Sequence, residues 1–419
     1  MMIKSPLLNE LYKKLLNGDS NALSSFWGNI KKLGGTPLVE KDTSNENHAL
    51  LTFLFQSSND NVVLSFYSMS KKQMIRLPKT DVWYLTFTTP YNTRTIYCIS
   101  PNDSLIFIHD NNFFNINLTE FCSDWQIDPL NSYIYKIPPY LTTNGKETLY
   151  SLVDLSDNKK NKDLLFSTPR KRVPAGKIEV QLFDSHLLKN RRKLQIYYPS
   201  GYKKFDEKSY QLLVVFDGDT YTDLIPTPTI LNNLIDDRKI PPTIAIFISS
   251  PDPNIQNRSV ELPCNISFAK CLVEEIMPWV YHKLNISRNP QKTILAGSSF
   301  GALAAAFVGL NYSETFGNIL CQSGAFWWHP KNIRESNWLI RQYIKAKKLP
   351  LRFYLDCGTL ENFQFTEQGD SPLSSVRCFR DVLITKNYKV HYAEFAGGHD
   401  YVCWKDTLGD GLMTLSSHN

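Results

Sequence analysis

The stretch TILAGSSFGALAAAF, residues 293–307, decides the fold prediction because it places a serine, flanked by two glycines, between a predicted strand and a predicted helix. Residues 297–301, GSSFG, fit the pattern G-x-S-x-G. The segment TILAG before the serine predicts a strand, and the small residues after it predict a helix. At a tight turn from strand to helix the flanking residues must lack bulk, because the backbone passes close to its neighbours. The stretch therefore predicts a nucleophilic Ser299; the alternative is a plain strand that runs into an alanine-rich helix.

Strands and helices alternate on both sides of this stretch. The helical segments lie near 223–237, 265–283, 335–346 and 374–386. The predicted strands are KIEVQLFDSHLL, RKLQIYYPS, YQLLVVFDGD, TIAIFISS, KTILAG, NILCQSG, LRFYLDCG and KVHYAEFAGG. Such alternation is typical of a mainly parallel sheet with helices on both faces. We therefore predict an α/β domain at residues 177–419.

The N-terminal part of the chain has a different pattern. MMIKSPLLNELYKKLLNGDS carries leucines at helical spacing, and SNALSSFWGNIKKLG predicts a second helix that ends at a glycine pair. Short segments rich in aromatic and β-branched residues follow, and they predict a small antiparallel sandwich that runs to about residue 135. They are HALLTFLFQ, NVVLSFYS, DVWYLTFTT and RTIYCIS. We place an N-terminal domain at residues 1–150 and, because residues 155–176 are polar and charged, a linker at 151–176.

Composition and charge limit the classes of protein that fit this chain. Its 419 residues exceed what one core usually organises, and 42% hydrophobic with 21% charged residues is typical of a soluble globular protein. No apolar run is long enough to span a bilayer, and the amphipathic first helix is unlike a signal peptide. The net charge of +6 is mild, so we expect no nucleic-acid partner. The eight cysteines form no C-x-x-C pair, which favours reduced thiols and a cytoplasmic protein.

A nucleophilic serine needs a histidine and an acid, and after a serine turn of this kind the acid precedes the histidine in the chain. His399 comes just past the last predicted strand, in AGGHDYVCW, where two glycines allow a loop to fold back over the sheet edge. We therefore predict that His399 is the general base. Glu361, in the loop after LRFYLDCG, is the predicted acid, and Asp356 on the strand itself is its rival.

An oxyanion hole requires two backbone amides. The amide of Phe300 follows the nucleophile directly, at the predicted N-terminus of a helix. The second amide is expected in the loop after the strand in YQLLVVFDGDTY, where Gly218 gives the backbone freedom to aim the amide of Asp219. An ordinary turn after a buried strand is the alternative for this loop.

Seven longer segments of the sequence share their pattern with one known protein family. In the C-terminal half they are RSVELPCN at 258–265, ILAGSSFGALAAAFVGL, ILCQSGAFWW at 319–328 and GGHDYVCW at 397–404. In the N-terminal half they are FWGNIKKLGGTPLVE at 26–40, RLPKTDVWYLTF at 76–87 and DPLNSY at 128–133. Together these segments resemble the enterochelin (enterobactin) esterases over both predicted domains. Two positions depart from the family pattern: Ser298 replaces a glutamine, and His329 follows the Trp-Trp pair.

The resemblance implies a cytoplasmic, monomeric α/β-hydrolase behind an immunoglobulin-like N-terminal domain. It also implies hydrolysis of the serine trilactone backbone of a ferric tris-catecholate siderophore, with Ser299 as nucleophile and His399 as base. No cofactor is expected, because the iron belongs to the substrate. The alternatives are an esterase for another small aromatic or thiol ester, and a non-catalytic siderophore-binding protein of the same fold.

Such a substrate would need cations and ring surfaces around it, because it carries about three negative charges and several aromatic rings. Arg258 and the pair Trp327 and Trp328 follow strands at their carboxyl ends, where ligands bind in open α/β sheets. We therefore predict substrate binding by Arg258 and by Trp328 or its neighbour. A surface salt bridge and a core indole are the alternatives.

Overall fold

The computed structural model of the protein describes residues 3–66, 70–103, 125–142, 145–156, 166–205, 209–251, 258–333, 335–363 and 370–417. The chain divides into two units. Unit 1 comprises Met1–Lys159 and the short segment Ala396–Asp400, and unit 2 comprises Lys160–Phe395 and Tyr401–Asn419. Residues 157–165 of the predicted linker lie outside the described residues.

Unit 1 begins with the two helices that the sequence predicts, α1 (Pro6–Leu16) and α2 (Ala22–Lys32). The Ser5 hydroxyl caps α1 by accepting a hydrogen bond from the Leu8 amide at 3.3 Å. A proline occupies the first turn of α1, where a backbone donor is not needed. Leu8 and Ile30 are fully buried in an apolar cluster that contains side chains of both helices and of the first sheet.

Two antiparallel sheets form the rest of unit 1. Within the described residues, one has four strands in the order β1-β2-β6-β5 and the other has five in the order β4-β3-β7-β9-β8. The strands are β1 (Leu38–Lys41), β2 (His48–Gln56), β3 (Val62–Phe66), β4 (Ser70–Gln73), β5 (Ile75–Arg76), β6 (Val82–Pro90), β7 (Arg94–Pro101), β8 (Ile134–Ile137) and β9 (Thr148–Asp154). Phe53 and Tyr97, from different sheets, pack with ring centroids 4.7 Å apart, so the sheets lie face to face. The sandwich extends to Asp154 rather than ending near residue 135, because β8 and β9 complete the second sheet.

Unit 2 is built on one sheet that contains all the strand segments predicted for residues 177–419. In the described part of the chain its eight strands have the order β10-β11-β13-β12-β14-β15-β16-β17. They are β10 (Lys177–Ser185), β11 (Asn190–Tyr198), β12 (Gln211–Phe216), β13 (Thr243–Ile248), β14 (Thr293–Ser298), β15 (Asn318–Gln322), β16 (Arg352–Gly358) and β17 (Lys389–Phe395). β10 pairs antiparallel with β11, and β11 pairs antiparallel with β13. The neighbouring strands from β13 through β12 to β17 pair in parallel. β12 to β15 are buried along their whole length, which explains their unbroken apolar sequences.

The helices of unit 2 connect these strands. They are α3 (Gly218–Asp223), α4 (Thr227–Asp236), α5 (Arg258–Glu261), α6 (Ile266–Lys270), α7 (Met277–Lys283), α8 (Phe300–Asn311), α9 (Trp338–Lys345), α10 (Pro372–Thr385) and α11 (Tyr401–Ser416). A π-helical segment, Cys271–Ile276, joins α6 to α7. The residues of α8 are buried from Phe300 through Gly309, which explains why this helix is apolar on every side.

A buried ion pair anchors the short helix α5 to the sheet. Arg192 of β11 donates to Glu261 of α5 at 2.6 Å, and the two side chains are 0% and 5% exposed. Asn190 also donates to the Glu261 carboxylate, at 3.3 Å. The Arg192 guanidinium lies 5.5 Å from the ring centroid of Phe268. Because two charges have been removed from water here, loss of either partner leaves the other unpaired in the interior.

We predict that Arg192→Ala lowers the free energy of unfolding by about 3–5 kcal/mol, because it leaves the Glu261 carboxylate buried without its arginine partner. Urea unfolding followed by tryptophan fluorescence measures the change. Arg191→Ala is the matched control, since the neighbouring Arg191 pairs with Asp184 in solvent. Equal midpoints for the two variants would contradict the account.

Candidate active site

Ser299 lies at the turn from β14 into α8. Its backbone has φ 57° and ψ −120°, a conformation that residues other than glycine rarely adopt. Two hydrogen bonds, one to the last residue of β15 and one to the turn after it, hold it in place. The Ser299 amide donates to the Gln322 carbonyl at 3.0 Å, and the Ala325 amide donates to the Ser299 carbonyl at 3.1 Å. The turn therefore holds Ser299, which is partly exposed, at the carboxyl end of the sheet.

The two glycines of the G-x-S-x-G pattern are explained by close backbone approach. A Cβ atom on Gly297 would stand 2.5 Å from the carbonyl carbon of Gly301. A Cβ atom on Gly301 would stand 3.1 Å from the Asp217 carboxylate. The first distance leaves no room for a side chain, so Gly297 is required for the turn to close.

The predicted oxyanion residues lie on two different elements. Phe300 is the first residue of α8, so the positive end of the helix dipole lies beside Ser299. Asp219 lies in the first turn of α3, directly after β12. Its carboxylate pairs with Lys193 and accepts a hydrogen bond from Gln195 at 3.0 Å, which ties the turn to β11. Gly218 is also required, because a Cβ atom there would meet the backbone of β13 at 2.8 Å.

Arg258 lies against the serine turn. Its guanidinium donates to both carboxylate oxygens of Asp217, at 2.6 and 2.7 Å, and to the Ser298 carbonyl at 3.3 Å. It also lies 5.8 Å from the ring centroid of Phe300. The Arg258 side chain is 35% exposed and that of Asp217 is 8% exposed, so the pair is only partly accessible. Sequence reasoning missed Asp217, although it shares the segment FDGD with Asp219.

Aromatic rings continue from Phe300 along the turn after β15. The ring centroids of Phe300 and Trp327 are 6.0 Å apart. Trp328 packs edge-on against Trp338, at 6.2 Å. Both indoles of the Trp-Trp pair are partly exposed. Trp327 is thus the member of the pair that contacts a residue of the serine turn, whereas Trp328 packs against α9.

Glu361 is fully buried in the loop after β16. Its carboxylate accepts hydrogen bonds from the Ser323 hydroxyl at 2.6 Å and from the Gly358 amide at 2.7 Å. Ser323 follows β15 directly, in the same turn that holds Ser299. The turn after β15 therefore touches both the predicted nucleophile and the predicted acid.

Asp356, the rival acid, is fully buried on β16. Burial is the largest cause that raises the pKa of Asp356 to about 8, and the charge of Glu361 adds to it. A carboxyl group with this pKa is mostly protonated at neutral pH. It is therefore less suited than an ionised carboxylate to stabilise a histidine cation.

His399 lies in the segment Ala396–Asp400, which belongs to unit 1. The side chain of His399 is buried. Within unit 1 the neighbouring Asp400 carboxylate accepts hydrogen bonds from the Thr95 hydroxyl at 3.0 Å and from the Ile96 amide at 3.3 Å. The Arg94 amide donates to the Ala396 carbonyl at 2.9 Å. Strand β7 therefore fixes the loop that carries His399.

Three kinds of feature are missing from the part of the chain that the structure describes. No helix in it combines the length and the apolar character needed to cross a membrane. Its cysteines are all free thiols. Its histidine, cysteine and acidic side chains form no group that could hold a metal ion.

A family model named Esterase, described as "Putative esterase", matches residues 185–415, which is more than half of the chain. The chain belongs to this esterase family. The match spans the sheet of unit 2 from the end of β10 and includes the serine turn.

Curated relatives of the esterase match between 82% and 97% of the chain. An iron(III) enterobactin esterase of Dickeya dadantii is 25% identical over 96% of this chain and 94% of its own length. The iron(III) enterobactin esterase of Escherichia coli K12 is 25% identical over 82% of each chain. An iron(III) salmochelin esterase of Escherichia coli is 25% identical over 97% of this chain and 96% of its own.

Solved structures share the fold of the esterase. Ferric enterobactin esterase from Salmonella typhimurium aligns with a TM-score of 0.68 and 24% identity, over 92% of this chain and 97% of that one. Enterobactin esterase from Shigella flexneri, determined in the presence of enterobactin, aligns with a TM-score of 0.64 and 23% identity over the same shares. The alignments cover both units, so the likeness in fold extends beyond residues 185–415, which the family model matches.

We predict that Gly297→Ala lowers kcat/KM of the esterase for an aryl ester by about 100-fold or more, because the new methyl group would force the serine turn to open. Steady-state kinetics with an aryl ester measure the loss. Gly28→Ala on α2 is the matched control, since a Cβ atom there meets nothing within 4 Å. Near-wild-type activity of Gly297→Ala would contradict the close approach.

The raised pKa of Asp356 predicts a pH-dependent stability. Between its ordinary pKa of 3.8 and its folded value of about 8, the folded chain keeps a proton that the unfolded chain has lost. The stabilisation from Asp356 is therefore full below about pH 4 and is lost as the pH rises toward 8. Relative to Asp356→Asn, the wild type should lose at most about 1.4 kcal/mol per pH unit between pH 5 and 8. Urea unfolding of both proteins across this range measures the difference, and a constant difference would contradict the raised pKa.

Proposed function

We propose that this esterase hydrolyses the serine trilactone esters of a ferric catecholate siderophore such as enterobactin, so that iron can be released. The observation that carries the proposal is the strained serine turn at Ser299 in a chain whose relatives are named enterobactin and salmochelin esterases. The substrate supplies the iron, so the ester chemistry itself needs no cofactor.

In the proposed mechanism, the Ser299 hydroxyl attacks the ester carbonyl while His399 accepts its proton. The amides of Phe300 and Asp219 donate hydrogen bonds to the oxyanion that forms. The C–O bond of the ester then breaks, and His399 gives the proton to the leaving alkoxide oxygen of the substrate's serine unit. Water, deprotonated by His399, then attacks the carbonyl of the acyl-Ser299 ester, and His399 returns this proton to the Ser299 oxygen as the acid product leaves.

We assign the acid of the triad to Glu361. In its favour, the carboxylate accepts two hydrogen bonds, which fix its orientation. Asp356 is disfavoured because its pKa is raised to about 8. If Asp356→Asn lowers kcat more than Glu361→Gln does, this assignment is wrong.

Substrate recognition is proposed for Arg258 and for the Trp327 and Trp328 pair. A guanidinium beside aromatic rings suits a ligand that combines negative charge with catechol rings. Asp217 neutralises part of the Arg258 charge, so attraction from this site would be weaker than from an unpaired arginine. We infer that Trp327, through its contact with Phe300, provides the ring surface nearer the reacting ester.

We also propose the finer description of the architecture and setting. Unit 2 would be an α/β-hydrolase, and the sandwich of unit 1 would be an immunoglobulin-like domain, with the linker after the end of β9, near residues 155–176. The chain would act as a monomer in the cytoplasm, where a reduced compartment suits its free thiols.

A chromatographic time course with ferric enterobactin tests the proposal. Wild-type protein should produce the linear trimer, dimer and monomer in succession. Ser299→Ala should lower the rate by at least about 10⁴-fold, and His399→Ala should also lose most activity, because the members of a triad act as a unit. Urea unfolding of each variant controls for loss of fold.

The alternatives predict different products. If wild-type protein cleaves simple aryl or thiol esters but leaves enterobactin and its linear forms intact, the siderophore assignment fails while the serine chemistry stands. If it binds ferric enterobactin but cleaves no ester, the protein is a binding protein of this fold and the mechanism fails.

A further inference from the structure

A buried hydrogen-bond chain leads from α11 to Glu361. The indole N–H of Trp404 donates to the Ser323 hydroxyl oxygen at 2.9 Å. The Ser323 hydroxyl in turn donates to Oε1 of Glu361 at 2.6 Å. The three side chains are buried, with Ser323 and Glu361 at 0% exposure and Trp404 at 2%. All three belong to unit 2.

The chemistry of these groups fixes the direction of both hydrogen bonds. An indole nitrogen can only donate, so the Ser323 oxygen accepts from Trp404. An ionised carboxylate can only accept, so the single hydroxyl proton of Ser323 points to Glu361. Trp404 therefore holds the Ser323 hydroxyl in the one rotation that serves the carboxylate.

A second donor acts on the same carboxylate oxygen. The Gly358 amide donates to Oε1 of Glu361 at 2.7 Å. One donor comes from the end of β16 and the other from the turn after β15, so the oxygen is held from two directions. Hydrogen bonds from two fixed donors restrain the plane of a carboxylate more than either does alone.

The backbone at Ser323 is strained, and the role of its hydroxyl explains why this position holds a serine and not a glycine. Ser323 has φ 47°, in the region that glycine occupies without cost. Its amide donates to the Asp356 carbonyl at 2.9 Å, and the amide of Ala325, two residues on, donates to the Ser299 carbonyl at 3.1 Å. A glycine at 323 would relieve the strain but would remove the donor to Glu361.

We propose that Ser323, held by Trp404, is a positioning residue that aligns the Glu361 carboxylate for its role as the acid of the triad. The inference rests on the proposed function, in which Glu361 is the acid of the triad. Ser323 contacts neither substrate nor base in this role and acts through Glu361 alone.

Steady-state kinetics of Ser323→Ala with an aryl ester test the proposal. We expect kcat to fall about 10- to 100-fold with KM unchanged, because a charge-assisted hydrogen bond to the acid is lost while substrate binding is not altered. Trp404→Phe removes the N–H donor and keeps a smaller aromatic ring in its place, so it should lower kcat in the same direction by a smaller factor. Because Trp404→Phe retains a large apolar side chain, it also provides the test if Ser323→Ala does not fold.

Ser375→Ala is the matched control for removing a buried hydroxyl. Ser375 is also fully buried in unit 2, and its hydroxyl donates to the Pro372 carbonyl in the first turn of α10. We expect it to leave kcat within about twofold of wild type. A loss of kcat in Ser375→Ala as large as that in Ser323→Ala would mean that general loosening of unit 2 explains both, and it would overturn the inference.

A double-mutant cycle with Glu361→Gln separates positioning from stability. If Ser323 acts through Glu361, Ser323→Ala should change kcat less than about twofold once Glu361 has been replaced. The same 10- to 100-fold loss in both backgrounds would overturn the positioning role and leave the triad assignment standing. A Glu361→Gln enzyme with wild-type kcat would instead overturn the triad assignment, and the positioning role with it.

Discussion

The contact between Gly297 and Gly301 is the constraint on which the rest of the site depends. Their backbones approach so closely that a single methyl group on Gly297 would stand 2.5 Å from Gly301. The approach forces Ser299 into a positive φ and starts α8 directly after it. β14 and α8 are buried and apolar on both sides of the turn, because β14 lies inside the sheet between β12 and β15.

Around this turn, the buried and half-buried polar groups are paired with one another. Asp217 pairs with Arg258 beside the serine turn, Arg192 pairs with Glu261 beneath α5, and Ser323 serves Glu361. Each pair satisfies a charge that would be costly to bury alone. The same pairs fix the ends of the loops that carry predicted site residues. The contacts that stabilise the fold therefore also position the residues proposed for catalysis and substrate binding.

The sequence is most informative where the pattern is local. The strands of unit 2 and the turn at Ser299 follow from apolar runs, small residues and their spacing. Pairings between distant segments left no such signal: β8 and β9 extend the sandwich beyond residue 135, and Asp400 bonds to Thr95 across some three hundred positions. Ser323 lies within the predicted strand segment NILCQSG, and nothing local reveals that Glu361 and Trp404 meet at its hydroxyl.

The central claim is that Ser299 is the nucleophile, and covalent labelling tests it most directly. Protein treated with a fluorophosphonate would be weighed intact by mass spectrometry and then digested to locate the adduct. The account predicts one adduct per chain, on the peptide that contains Ser299, and none in Ser299→Ala. An adduct on Ser298 or on any other residue, or wild-type protein that takes up no label, would contradict it.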